Sequence, residues 1–501
     1  MSLATSTTLG AVPLAAGLTQ FRVWAPHARS VSVRGQELEE VDGGLWAGEA
    51  PAAPGDDYRF VLDGVDAWPD PHSRWQPEGV RGPSRVLDTA AFEIAPGHGV
   101  ELDDLVLYEL HVGTFSPAGT FDGVIQRLPA LRELGVTAIE LMPVATFPGN
   151  RGWGYDGLYS FAPHPVYGGP AGLARLVDAA HREGLGVVLD VVYNHIGPGN
   201  EALRAFGPYF TDRYGATPWG DALDYRLEGV REWALQNAEL WVRDYRIDGL
   251  RLDAVHAVHD DSPVHVLAEL AELVRAVNPD ALVISEMGPP GFRPLRDWGH
   301  DAMWLDSLHH ALHVALTGER DGYYADFDGS IASIAAELRR PEGARIVVAA
   351  QSHDQVGNRA LGDRLPDAKR RVAAAVVLFS TFTPLLFQGE EYGEGAPFRF
   401  FTDHLDPFIA DATREGRRRE FRHFAGFRGE VPDPQDAASF EVSKLAPREP
   451  EQLYVDLIRL RRELPRELEV ACDEVARTLE LRRGRALLRV DFANETVTLE
   501  S

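Results

Sequence analysis

Two hydrophobic rhythms divide the chain. From about residue 8 to 94, short runs alternate apolar and polar positions, as in 21–24 (Phe-Arg-Val-Trp), 31–33 (Val-Ser-Val) and 58–62 (Tyr-Arg-Phe-Val-Leu), with Pro, Gly and Asp between them. Period-two alternation broken by turn residues predicts short half-buried strands, and their spacing predicts a small β-sandwich. The Pro-rich stretch 68–85 is expected to wrap onto the next domain. From residue 105 the rhythm changes. Near-continuous apolar runs at 105–110, 136–142, 187–192, 247–252, 281–285, 302–305, 346–350 and 384–387 alternate with helical patterns such as 121–134 and 171–183, which stop at Gly135 and Gly184. Unalternated apolar strands are buried on both faces, as in a parallel sheet covered by helices. Eight such repeats predict closure into a barrel.

After residue 449 the pattern predicts one helix over 452–464, then two or three strands. The expected fold class is therefore α/β, a (β/α)8 TIM barrel over 96–445. An N-terminal β-sandwich over 1–95 precedes it, and a short C-terminal helix plus small β domain over 446–501 comes after it. Two long connections, 194–228 and 397–446, interrupt the barrel. Loops beyond ~15 residues usually serve function.

The loops leaving the strands carry the candidate chemistry. Side chains at the C-terminal ends of barrel strands converge on one mouth. There the fourth run continues as 249–253 (Gly-Leu-Arg-Leu-Asp), the fifth is followed by Glu286, and the seventh leads into 351–354 (Gln-Ser-His-Asp). Three carboxylates at one mouth, Asp253, Glu286 and Asp354, are equipment for cleaving a glycosidic bond. One attacks the anomeric carbon, one donates a proton and then acts as base, and one holds ring hydroxyls. Arg251 lies two residues before Asp253 and so on the same strand face, where a guanidinium keeps the acid ionised and oriented, as a nucleophile requires. Glu286 ends an apolar strand, where burial favours the protonated form, as a proton donor requires. His353 can donate to substrate or align Asp354. His195, in 190–195 (Asp-Val-Val-Tyr-Asn-His), can donate to a sugar hydroxyl, and Asp190 is expected to organise Arg251. Trp153, Tyr155 and Asp156 lie in 151–156 (Arg-Gly-Trp-Gly-Tyr-Asp) and are candidate sugar contacts, the rings offering flat faces to a pyranose. Singly, each has a plainer role: a strand-end acid caps a helix, and a lone histidine or aromatic packs. Their common position at the same end of their strands argues for a site.

Composition narrows the partners. With 76 acidic against 49 basic residues the net charge is −27. Such a surface repels phosphate, so neither nucleic acid nor an anionic membrane is expected, while a neutral sugar is not penalised. The basic run 417–419 is read as a helix face or a carboxylate partner. The single cysteine, Cys472, allows no intrachain disulfide, suits a reducing compartment, and is expected to be a small buried hydrophobe. Residues 1–18 lack a basic leader and no run of ~18 apolar residues occurs, so neither a signal peptide nor a membrane span is expected. A cytoplasmic monomer or weak homodimer is the expectation. His309, His310 and His313 are spaced like metal ligands on a helix but read as a hydrophilic or substrate-facing helix surface, and Asp260-Asp261 is too short for a calcium loop. No metal and no cofactor are expected, because carboxylates suffice.

The segments 190–195, 249–253, Glu286 and 353–354 resemble the signature regions of the α-amylase superfamily of glycoside hydrolases. The resemblance implies Asp253 as nucleophile, Glu286 as acid/base and Asp354 as transition-state stabiliser. It implies Arg251, His195 and His353 as sugar contacts, Tyr155 stacked under the cleaved sugar, and retention of configuration through a covalent glycosyl-enzyme. The segments 108–115 (Tyr-Glu-Leu-His-Val-Gly-Thr-Phe) and 21–26 (Phe-Arg-Val-Trp-Ala-Pro) resemble the glycogen-branching and trehalohydrolase group. Segments 385–390, 400–404, 415–421, 431–435 and 443–445 resemble its trehalohydrolases. That implies a carbohydrate-binding-like N-terminal sandwich. It also implies hydrolysis of the α-1,4 bond next to the terminal trehalose of maltooligosyl trehalose, releasing trehalose. The alternatives are a related hydrolase or branching or debranching enzyme acting on another α-glucan, such as maltodextrin or glycogen, and, in a different class, a non-catalytic α-glucan-binding protein. The intact acids argue against the last. The loop 287–290 (Met-Gly-Pro-Pro) departs from the polar pattern of the family and is expected to weaken discrimination at the trehalose end.

Overall fold

The computed structural model describes residues 7–215, 217, 220–288, 291–422 and 429–500. Eight parallel strands close into a barrel. They are β1 (Leu107–Leu110), β2 (Ala138–Leu141), β3 (Gly186–Val191), β4 (Gly249–Leu252), β5 (Leu282–Glu286), β6 (Ala302–Trp304), β7 (Ile346–Ala349) and β8 (Thr383–Phe387). Each falls within a residue of, or inside, an apolar run of the sequence. Neighbours pair in sequence order, and β8 closes on β1 through Leu107 and Leu385.

The barrel interior is layered. Leu107, Ala138, Val188, Leu282, Ile284, Ala302, Val347 and Leu385 form an apolar floor. Two residues further along β1 to β4 the same face carries Glu109, Glu140, Asp190 and Arg251. An apolar base and a polar top on the same strands confine the chemistry to one end. Register does the lateral work: Asp190 on β3 is directly paired with Arg251 on β4, and Glu109 with Glu140.

The helical pattern 121–134 divides into two helices, Phe121–Ile125 and Leu128–Leu134. Pro129 opens the second, lacking the N–H that a continuous helix would use. The stop at Gly135 is a left-handed cap with φ 101°, a conformation that favours glycine.

Two four-stranded antiparallel sheets form the N-terminal part, with orders Gly10–Pro13, Leu18–Trp24, Leu45–Pro51, Glu39–Asp42 and Gln36–Glu37, Val31–Val33, Phe60–Leu62, Asp66–Trp68. Phe21 and Phe60 meet edge-to-face between them at 6.2 Å. The segment 68–85 does wrap onto the barrel: His72 lies against Phe161 at 5.1 Å and Tyr159 donates to the Val80 carbonyl at 3.3 Å. The 194–228 connection forms a helix, Glu201–Phe206, and a hairpin, Phe210–Thr211 with Ala222–Leu223. It is a seat for the sandwich, through Trp24 on Tyr209 at 5.2 Å and Phe60 on Phe206 at 6.0 Å. The connection 397–446 includes the helix Pro407–Phe421. There Arg417 is buried, pairs with Glu420 at 2.9 Å and donates to the Gly357 carbonyl at 2.7 Å, while Arg418 pairs with Glu415 at 2.8 Å.

At the C-terminal end the helix Gln452–Glu463 leads to four antiparallel strands rather than two or three: Glu469–Asp473, Thr478–Arg483, Ala486–Asp491 and Thr496–Glu500. The two edge strands are largely exposed and so carry little apolar signal. Cys472 lies on the first of them and is exposed, correcting the expectation of a buried thiol. Val470, two residues earlier on the same strand, packs against the core, but that cover does not extend to Cys472. Among the described residues no helix is long and apolar enough to cross a membrane.

Candidate active site

The C-terminal ends of the strands open into one cavity of about 1390 Å³, lined by Trp153, Tyr155, His195, Asp253, Glu286, His353 and Asp354 among others. Arg251 lies beneath it, fully buried. Its Nη1 donates to Asp190 Oδ2 at 2.8 Å and to Asp253 Oδ1 at 2.9 Å, and its Nη2 is 2.9 Å from Glu286 Oε2. Burial opposes a charge there, but Asp190 and Glu286 outweigh it and hold the guanidinium firmly protonated. The Arg251 guanidinium also lies over the Trp304 ring at 4.5 Å.

Backbone shape completes the cluster. Ala254, directly after Asp253, has φ 40°, a left-handed conformation costing on the order of 1 kcal/mol for a residue with a Cβ. The Ala254 N–H donates to Glu286 Oε2 at 2.8 Å. Asn194 donates to Asp253 Oδ2 at 3.0 Å, and His195 is held between Asn194 Oδ1 (2.8 Å) and the Tyr155 carbonyl (3.0 Å). Burial pushes the His195 imidazole down to about 4. Glu286 is not enclosed as its apolar strand suggested: its side chain is 18 % exposed and ion-paired.

Tyr155 stacks on His353 at 5.2 Å between ring centres. Asp354 lies 3.6 Å from His353 Nε2 and accepts from Asn358 at 2.8 Å. Burial pushes its carboxyl up, against the opposing pull of His353. Trp153 is stacked on Phe398 at 5.2 Å and donates to the Arg399 carbonyl at 3.0 Å, which leaves little of its face to the cavity. Asp156 does not line the cavity; its Oδ2 is 3.7 Å from His404 Nε2. In the 287–290 loop, Met287 packs on the core, and Pro289 and Pro290 lie outside the described residues.

The structure adds residues that the sequence reading missed. Asp306, just past β6, lines the cavity and accepts from Gln355 at 2.9 Å. Burial, then repulsion from Glu286 and Asp354, pushes its carboxyl up to about 7. It obeys the strand-end rule, directly following the sixth apolar run 302–305, and was a signal left unused. Glu109, a lone acid within an apolar run, was another.

No cluster of three or more His, Cys, Asp or Glu among the described residues is arranged to hold a metal. His309 contacts the Ala350 carbonyl at 2.9 Å, and His313 pairs with Glu319 at 2.9 Å.

Residues 83–207 match the alpha amylase catalytic domain. The chain is 45% identical over 510 residues to malto-oligosyltrehalose trehalohydrolase of Deinococcus radiodurans, covering 92% of this chain and 84% of that protein. It is 42% identical over 486 residues to the protein of the same name from Saccharolobus solfataricus, covering 88% and 85%. The chain belongs to the malto-oligosyltrehalose trehalohydrolase family. With an alpha amylase catalytic domain and named trehalohydrolase relatives, it is a glycoside hydrolase. A crystal structure described as an alpha amylase from Salmonella typhimurium superposes with a TM-score of 0.86 at 36% identity, over 96% of this chain and 92% of that one. The eight-stranded barrel and its flanking antiparallel sheets are thus an architecture shared with that structure.

Proposed function

We propose that this enzyme hydrolyses the α-1,4-glucosidic bond next to the terminal trehalose of maltooligosyl trehalose, releasing trehalose and a shortened maltooligosaccharide. The observation that carries the chemistry is the single buried guanidinium of Arg251 shared by Asp253 and Glu286, with Asp354 on the same cavity. Asp253, oriented by its contact with Arg251, attacks the anomeric carbon. Glu286 protonates the glycosidic oxygen, and then removes a proton from the water that opens the glycosyl-enzyme. Asp354 holds ring hydroxyls as positive charge develops. Sharing one guanidinium keeps the two reacting carboxylates close, which favours the retaining spacing of roughly 5–5.5 Å over the wider inverting one. Tyr155, stacked on His353, offers the flat face under the reacting sugar, and His195 and Arg251 orient the groups around it. The specificity for trehalose rests on the names of relatives at 45% and 42% identity. We assign the catalytic unit to 96–445, with 1–95 and 446–501 as flanking β units, and the reaction to the cytoplasm, which a chain with one cysteine suits.

Product analysis on maltooligosyl trehalose against maltopentaose tests this. Trehalose should be released, and the new maltooligosaccharide end should first appear as the α anomer by NMR. Equal or faster turnover of maltopentaose would favour a plain α-glucan hydrolase. Binding of both without turnover would favour a scaffold.

A further inference from the structure

Beneath the three acids, two glutamates stand side by side inside the barrel. Glu109 on β1 and Glu140 on β2 are register partners and both are buried. Their surroundings differ. Glu109 Oε2 accepts the backbone N–H of His353 at 2.9 Å, and Oε1 meets His353 Nδ1. Neither oxygen of Glu140 has a hydrogen-bond partner. On the other side of the ring, His353 Nε2 lies 2.8 Å from Tyr155 Oη, and Tyr155 donates to Asp190 Oδ2 at 2.7 Å. That same oxygen receives Arg251 Nη1 at 2.8 Å. It is therefore an acceptor, and the one phenol proton goes to it. The phenol oxygen can then only accept from His353. A carboxylate on Nδ1 and an accepting phenol on Nε2 call for a proton on each ring nitrogen.

We propose that Glu109 is a positioning residue that keeps His353 as an imidazolium, one N–H directed to Glu109 and the other to Tyr155, so that a fixed cation stands beside Asp354 while Glu140 stays a neutral acid. The inference deepens the proposed function and rests on its reading of Asp354 as the sugar-holding acid.

The surrounding charges agree. Burial alone would strip the proton from His353, but the carboxylates of Glu109 and Asp354 outweigh burial and the opposing Arg251, and hold the imidazolium up to about 10. His111, the neighbouring histidine, is kept neutral by burial, which pushes it down to about 4. Glu140 is pushed far above the carboxylate range by burial and by the charge of Glu109. Two adjacent carboxyls in a dry interior do not both ionise, and the one already bound to His353 is the one that does. Trp153 and Trp304 close the remaining sides with uncharged rings, at 5.7 and 6.1 Å.

Two isosteric changes on adjacent strands separate the roles. Glu140→Gln replaces a neutral acid with a neutral amide and should leave turnover within about 3-fold, since no charge is lost. Glu109→Gln removes the charge that holds the proton. If the ring then falls to ~6.5 or below, about 3% of molecules or fewer carry the cation at pH 8, so kcat there should fall about 30-fold or more, with KM little changed and the loss shrinking as the pH is lowered. The direct readout is 15N NMR of histidine-labelled protein, with the His353 signal assigned by its absence in His353→Asn. Wild-type protein should keep both ring nitrogens protonated to about pH 9, whereas in Glu109→Gln the ring should titrate below about pH 7. A neutral His353 ring in wild type at neutral pH, an unchanged ring in Glu109→Gln, or a larger loss of kcat in Glu140→Gln would each overturn the proposal. If Glu109→Gln does not fold, the wild-type titration decides alone. The NMR readout needs no turnover, so a wild-type protein that released no trehalose would overturn the functional reading and leave this one standing.

Discussion

Asp253 and Glu286 are held by the same guanidinium but differ in what their removal leaves behind. Asp253→Ala leaves Arg251 still paired with Asp190 and Glu286. Glu286→Gln keeps an acceptor for the Ala254 N–H. Both variants should lose ~10³-fold or more in turnover, while thermal unfolding moves little. Near-wild-type turnover in either would remove that residue from the mechanism. These two acids were legible because a carboxylate at the end of an apolar strand needs no partner to be noticed. Asn194, which donates to Asp253, was not, since a neighbour of His195 on the chain gives no sign of facing another strand.

At the scale of elements, the ion pair between His181 and Asp248 binds the helix Gly169–Arg182 to the base of β3 and β4. His181 Nε2 lies 2.9 Å from Asp248 Oδ2, which also accepts the Val187 N–H at 2.8 Å. Burial lowers the His181 affinity for its proton, but the Asp248 contact outweighs it and the net shift is upward. A histidine raised on folding stabilises fully below its unfolded value of ~6.5 and loses that stabilisation as pH climbs through the folded value. Asp248→Asn should therefore destabilise by about 1.5–3 kcal/mol at pH 5.5 and by less at pH 9. Denaturant unfolding at the two pH values checks this, and an equal effect at both would show that the charge is not what matters. The strands themselves were readable from apolar runs alone. The division of 121–134 into two helices hinged on Pro129, a local signal that periodicity overran.

At the scale of the molecule, the sandwich is fastened to the barrel by close approach. Trp24 lies over Gly229, where an added Cβ would stand 2.2 Å from its ring, and a Cβ added to Gly207 would stand 3.0 Å from the same ring. Gly229→Ala should destabilise by about 1–3 kcal/mol through overpacking, since the buried indole has nowhere to move. Chemical denaturation measures it, and an unchanged midpoint would mean that the sandwich shifts freely on its seat. The connection 194–228 was read as a long functional loop, yet much of it serves this docking. Its length was visible, but its partner was not.

Along the chain, hydrophobic period and turn residues decide where strands and helices lie, because each depends on neighbours a few positions away. That was enough to foresee the barrel and to put three acids at one mouth. Register and burial decide the rest: which strand faces Asp190 toward Arg251, which of two adjacent glutamates meets His353, and that Cys472 lies open on an edge. Those outcomes depend on contacts between residues far apart in sequence, and their electrostatics depend on how much water the folded interior excludes.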